Sequence, residues 1–552
     1  MVFIESSELL NVDSLICYGL HLSLTTFLQI SAQSLAYIVL GGFVVAFSTV
    51  SVLAKDKVPP SLSAARFLAL TQAIFWPKFF VNEVVLGTAF GVAVGPYGCG
   101  IFDPHSWGSS TQTVTLEVMR IVLAIGLFII GVELPGPYMA RHAKGLLFMV
   151  VPTMAIGWVT VAGVLRALFP GLNFVSCLAV AACLTPTDPI ICAAIVGGKF
   201  AVKHVPLNLR QILSAESAAN DGLAYPFLSI SVYLTVESSK RVAFEKWLII
   251  GCLYQVIMGV VIGAVLGLAF SWLMKRSLRR GFIDRESYVA QYLALAFLTI
   301  GIVSTIGSDD LLAAFAAGNA LSWDEHFNSQ TEDELFATVI DRVLNCACFV
   351  YIGAWLRFDT FNDPSLGISS IRLIVFFIAI LVLRRIPSML LLYKKRCFLV
   401  ILVCTELSSG GCTFLHSDIG PMGVGAVFIS TLALTRLPEP RYPPETQQEL
   451  LATMLQPIVS FVVLGSIIIH GLSIPFFSMG RNVSRTLSRS TRDVPEWMFW
   501  INQRGAVYKD EEKSRKPDLD LEERLEYESR AKIVPASGGS STPRVVHSHE
   551  AQ

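Results

Sequence analysis

The sequence predicts an all-α polytopic membrane protein with about thirteen transmembrane helices. Three observations carry that prediction. Hydrophobic residues make up 53% of the 552-residue chain and charged residues 15%, against about 25% charged in a soluble domain. Mean hydropathy is +0.60. Apolar runs of bilayer-crossing length recur from about Ser34 to Pro475, and basic residues cluster in alternate connections between them.

In chain order, residues 1–33 form an N-terminal segment, with an interfacial helix possible at 15–33. Met1 to Asn11 carries Glu5 and Glu8 and no basic residue, so it does not read as a cleavable signal. Apolar runs then place spans near 34–54, 80–97, 113–132, 145–169, 174–197, 208–235 and 247–274. Further spans follow near 287–306, 310–323, 339–357, 368–393, 420–436 and 452–475, that at 310–323 being short. Lys55, Lys57, Arg66 and Lys78 follow the first span, and Arg141, His142 and Lys144 the third. Lys199, Lys203, His204 and Arg210 follow the fifth, Lys275, Arg276, Arg279, Arg280 and Arg285 the seventh, and Lys394 to Arg396 the eleventh. All these loops fall on one side, which the positive-inside rule makes cytosolic. The N-terminus is then expected outside and the C-terminus inside. The domain organisation is thus 1–33, a transmembrane domain at 34–475, and a polar cytosolic tail at 476–552.

Composition also excludes classes. Lys+Arg and Asp+Glu are both 42, so no basic excess points to nucleic acid. The 11 cysteines contain no Cys-x-x-Cys pair, which argues against a zinc or redox site. There is no Walker loop and no pump phosphorylation motif, so the reading is a transporter without ATP or cofactor, driven by the proton gradient. In the tail, Arg481 to Arg492 is basic and hydroxyl-rich, a pattern open to a kinase, an anionic lipid surface or simple solvation.

The chemistry concentrates in the fifth and sixth spans. Leu184-Thr185-Pro186-Thr187-Asp188-Pro189 puts a carboxylate between two prolines at membrane depth. Each proline removes a backbone donor and breaks the helical path. An intramembrane acid costs about 2.5–3.5 kcal/mol on insertion scales, so its presence marks function. Thr185, Thr187, Asp188 and freed carbonyls supply the oxygen ligands a hard monovalent cation wants. In the sixth span Ser217 and Asp221 share one face, and Glu216 and Asn220 the adjacent one. Asp188, Glu216 and Asp221 cannot all stay charged and unpaired. Some must bind a proton, a cation or a base, so H+ and Na+ compete for the same carboxylates.

Arg384 and Arg385, before Pro387, are candidates to pair with Glu216, the alternative being that they reach the cytosolic interface. Asp309 and Asp310 open the short ninth span, either as an acidic mouth that gathers cations or as a helix cap. Gly420 to Gly425 (GPMGVG) reads as a small-residue seam. His470 reads as a satisfied interface residue.

Together these segments resemble the monovalent cation/proton antiporter family, most of all its fungal plasma-membrane Na+/H+ antiporters. LTPTDP at 184–189 resembles the family's TDP break and ESAANDG at 216–222 its ESxxND segment. DDLLAAFAAG at 309–318, GPMGVGA at 420–426 and HGLSIP at 470–475 fit later motifs in the right order. The resemblance covers roughly residues 34–475. It implies two inverted repeats whose broken helices cross at the ion site, a homodimer, alternating access and a plasma-membrane location. It implies Asp221 as the main ion- and proton-binding carboxylate, with Asn220, Asp188 and Thr187 shaping the Na+ site and Glu216 paired to Arg385. Residues 58–79 and 394–418 depart from the family pattern. Our hypothesis is that one or both stem from a gene-model error; peptides from both stretches in the mass spectrum of the expressed protein would refute it.

The function expected is exchange of cytosolic Na+, with Li+ and K+ as further candidates, for external H+, serving sodium detoxification and pH homeostasis. A cation channel or uniporter and a transport-inactive sensor are the alternatives. Proton counter-movement separates the first from the antiporter, and failure to rescue a salt-sensitive yeast favours the second.

Overall fold

The computed structural model describes Val39, Phe43 and residues 83–136, 138–196, 207–282, 285–324, 336–385, 420–439 and 441–490. The span at 34–54 apart from Val39 and Phe43, the stretches at 58–79 and 394–418, and the tail beyond 490 lie outside the described residues. Residues 1–485 form one compact unit and 486–552 a second.

Among the described residues every regular element is helical. The helices are α1 Glu83–Val94, α2 Thr111–Glu133, α3 Tyr138–Leu168, α4 Phe174–Cys183, α5 Pro189–Val196, α6 Leu207–Gly222 and α7 Ala224–Val236. Then come α8 Lys240–Arg279, α9 Arg285–Ile306 and α10 Asp310–Leu321. The set closes with α11 Phe336–Trp355, α12 Ser370–Leu383, α13 Val424–Leu434 and α14 Gln447–Ser490. Within α8 the stretch Trp247–Ile257 is wound as a π-helix. Among the described residues, four helices are long and apolar enough to cross a membrane: α2, α3, α8 and the part of α14 to Leu472. The other apolar helices are shorter, because breaks and turns divide the predicted spans. The fifth span splits at Leu184–Asp188 into α4 and α5, and the sixth at Leu223 into α6 and α7.

One boundary differs from the sequence reading. The last helix does not stop at Pro475 but continues to Ser490. The apolar run reports where the hydrocarbon layer ends, not where helical hydrogen bonding ends.

Burial separates inner from outer helices. In its most apolar window α2 is 72% buried, whereas α8 is 22% buried. Leu253, Val261, Val265, Leu268 and Trp272 on α8 face outward, as a lipid-facing helix requires. Short α10 lies between α2 and α8. A Cβ added at Gly263 of α8 would come 2.1 Å from the Ala313 carbonyl oxygen, and one at Gly318 of α10 would come 2.2 Å from that of Phe128 on α2. Only glycine permits such backbone approach. The same device joins α1 to α11, where Gly91 and Gly353 meet. One apolar core runs through α2, α4, α6, α10, α11, α13 and α14.

Candidate functional site

The site forms where the break after α4 meets the Gly420–Gly423 segment before α13. Leu184 to Asp188 leaves the helix because Pro186 and Pro189 have no N–H to donate. Pro189 then starts α5, its missing donor costing nothing at a first helical position. The Asp188 backbone N–H donates to the Pro421 carbonyl at 2.8 Å. Its side chain, 1% exposed, caps two helices at once. Oδ1 accepts from the N–H groups of Ile190 (2.8 Å) and Ile191 (3.1 Å), and Oδ2 accepts from Val424 N–H. One carboxylate thus answers the positive ends of α5 and α13. Gly423 has to be small: a Cβ there would lie 2.0 Å from Asp188 Oδ2.

Arg384 does the opposite job. It is buried, and its guanidinium donates to the carbonyls of Thr185 (3.2 Å), Pro186 (3.3 Å) and Gly420 (3.3 Å). These are carbonyls the prolines and the breaks leave without helical donors. Of the two arginines it is Arg385 that pairs with Glu216, and both are buried. Neither arginine reaches the interface.

The α6 residues complete the crossing. Asn220 Nδ2 donates to Glu216 Oε1 at 2.6 Å and to Thr187 Oγ1 at 3.0 Å. Ser217 Oγ donates to the Thr187 carbonyl at 2.7 Å. Thr185 Oγ1 donates back to Ala182 O at 2.8 Å. Asp221 differs from all of these. It is 2% exposed, yet neither carboxylate oxygen has a hydrogen-bond partner among the described residues, nor does Asn220 Oδ1. Gly425 stands over it, and a Cβ there would lie 2.5 Å from Asp221 Oδ1.

Asp221 lies in the wall of a cavity of ≈ 220 Å3 shared with Tyr225, Gln255, Asp309, Asp310, Arg120 and Arg436. Asn220 instead lines a void of ≈ 10 Å3 with Thr153, Thr185, Arg384 and Arg385. Asp309 and Asp310 combine both sequence readings. Asp309 caps α10 by accepting from Leu312 N–H (2.9 Å), Asp310 pairs with Arg120 (3.2 Å), and both face the cavity.

The expected residues therefore come together, with Asp309 and Asp310 further along the cavity. His470 lies buried in α14, its Nδ1 2.9 Å from Ser466 O. Sequence reasoning missed Ser466, whose hydroxyl accepts from Met422 N–H at 2.7 Å and ties α14 to the crossing. It also missed Arg120 and Arg436. A lone arginine inside the apolar run 113–132 was a usable signal for Arg120; Arg436 looked like an ordinary span-end residue.

The family description "Sodium/hydrogen exchanger, transmembrane" matches residues 63–480, which includes every site residue above. The chain belongs to the sodium/hydrogen exchanger family. The chain is accordingly a multi-pass membrane protein. It is 39% identical to a probable Na+/H+ antiporter of Schizosaccharomyces pombe over 84% of this chain and 58% of that protein. It is 34% identical to a Na+/H+ antiporter of Saccharomyces cerevisiae over 83% of this chain and 44% of that one. The chain thus spans about half the length of these two relatives. A second Schizosaccharomyces pombe Na+/H+ antiporter is 35% identical over 76% of this chain and 90% of its own length. Among solved structures, the sodium proton antiporter MjNhaP1 of Methanocaldococcus jannaschii superposes with a TM-score of 0.53 at 16% identity, covering 81% of this chain and 99% of that one. The chain shares that fold.

Proposed function

We propose that the chain is a secondary antiporter that exchanges Na+ for H+ at Asp221. The observation that carries this reading is the contrast among the buried acids. Asp188 is held by three backbone N–H groups and Glu216 by Arg385 and Asn220. Asp221 alone of the three lacks a hydrogen-bond partner and opens on a cavity. A buried carboxylate cannot stay charged and unpaired, so it takes a proton or a cation, one at a time. Asn220 Oδ1 on the adjacent residue is also without a partner among the described residues, while Asp188 holds the two half-helices and adds negative charge. The names of the relatives agree with this chemistry.

The large cavity on one side of the Asn220–Asp221 pair and the near-closed void on the other fit a site open to one face at a time. A channel would need a continuous path past both residues. By the charge of the loops, the cavity faces outside. Sodium efflux across the plasma membrane, acceptance of Li+ and K+, assembly as a homodimer and kinase action on the tail belong to the same proposal.

The test is Na+- or Li+-dependent proton movement in proteoliposomes. The wild type acidifies or alkalinises the lumen according to the imposed gradient, and Asp221→Asn falls to the protein-free background. Exchange that persists in Asp221→Asn would overturn the site.

A further inference from the structure

We propose that Arg436 sets how tightly Asp221 holds its cation on the cavity side, acting as an uncompensated positive charge at the cavity mouth. The inference rests on the antiport reading and adds a residue that it does not use. Five charged side chains line the cavity: Asp221, Asp309, Asp310, Arg120 and Arg436. Three have a direct partner where they stand. Arg120 pairs with Asp310 at 3.2 Å and with Glu117 at 3.0 Å. Asp309 sits on the positive end of α10 and accepts from Leu312 N–H. Asp221 and Arg436 remain.

Arg436 is exposed and makes no ion pair among the described residues. What positions it is the ring of Tyr225, whose centroid lies 5.8 Å from the guanidinium carbon. Tyr225 is 7% exposed and lies on α7, just past the Leu223 break that follows Asp221, and both side chains line the cavity, so it is a fixed platform near the carboxylate. A cation–π contact holds a guanidinium without cancelling its charge. Low-dielectric walls then focus that charge along the cavity. A cation moving between Asp221 and solvent passes the guanidinium and is repelled by it. Release into the cavity is favoured and rebinding is opposed, which suits a site that unloads on that side. Arg120 cannot have this effect because Asp310 and Glu117 neutralise it.

The test uses the full chain, oriented in proteoliposomes, at alkaline pH where protons compete least. The KM for Na+ is measured from each face for wild type, Arg436→Gln and Arg436→Lys. Arg436→Gln is expected to lower KM about five-fold on one face only, with maximal rate held, as removal of a nearby charge at a wet cavity mouth requires. Arg436→Lys keeps the charge and the wild-type KM. An unchanged KM in Arg436→Gln, an equal shift on both faces, or a Lys variant that behaves like Gln overturns the proposal. Should the wild type move no protons, the antiport reading fails by itself. Calorimetric Na+ binding to the detergent-solubilised chain then decides the role of Arg436: tighter binding in Arg436→Gln but not in Arg436→Lys supports it, and equal binding in all three refutes it.

Discussion

At the residue scale, the two aspartates of the crossing have opposite relations to their surroundings, and stability measurements should show it. Both Asp188 oxygens accept backbone N–H groups. Asparagine there would turn an NH2 toward a donor, so Asp188→Asn should cost about 2–4 kcal/mol and melt early in detergent. Asp221→Asn removes an unpartnered buried carboxylate and should melt no earlier than wild type. The reverse order of melting temperatures would refute these assignments. Asp359, outside the spans, is a contrast. Hydrogen bonds from Arg357 hold its carboxyl down to about 2. A depressed carboxylate contributes above its unfolded value of about 4 and loses that contribution as pH falls through about 2. The pH response of transport near neutrality therefore does not come from Asp359. The TDP and ESxxND segments made most of these residues legible in the sequence. The residues alone left Arg384 and Arg385 open, because neighbours on a helix point about 100° apart and packing fixes which one meets Glu216; the resemblance pointed to Arg385, which the pair bears out.

At the element scale, close packing depends on glycine where helices touch backbone to backbone. Gly263 meets Ala313, whereas a Cβ at Gly301 on α9 would meet nothing within 4 Å. Gly263→Val should force α8 from α10 and cost at least about 3 kcal/mol, with loss of protein from the membrane. Gly301→Ala should match wild type. Equal yield and melting temperature for both variants would refute this packing. The break in the fifth span was readable from Pro186 and Pro189, since a missing N–H acts locally, whereas the one at Leu223, with no proline at the break itself, was not. The end of α14 was not readable, because hydropathy follows lipid and Pro475 interrupts without terminating. The cavity wall was equally hidden: Arg120, Gln255, Asp309 and Arg436 lie on four separate elements, and no spacing along the chain brings them together.

At the scale of the whole molecule, the proposed antiport scheme has one exchangeable carboxylate, which would set the stoichiometry. Asp188 and Glu216 are committed to partners, and residue 220 is Asn. One Na+ should therefore leave for each H+ that enters, and an imposed membrane potential should not change the rate. The KM for Na+ should also rise as pH falls while maximal rate holds, because H+ occupies the same group. Exchange accelerated by a membrane potential would refute the single-site scheme. The arrangement of α10 has a consequence for how such a chain is made. Its 12 residues span about 18 Å, well short of a hydrocarbon layer of about 30 Å. It also carries Asp310, which an isolated helix in lipid could not shelter. Both neighbours that enclose it, α2 with Arg120 and α8 with its glycine face, come earlier in the chain. During synthesis, from the N-terminus onward, the slot exists before its occupant emerges. A helix too short to cross lipid on its own should thus find its protein slot already synthesised, so the order of the codons would double as an order of assembly.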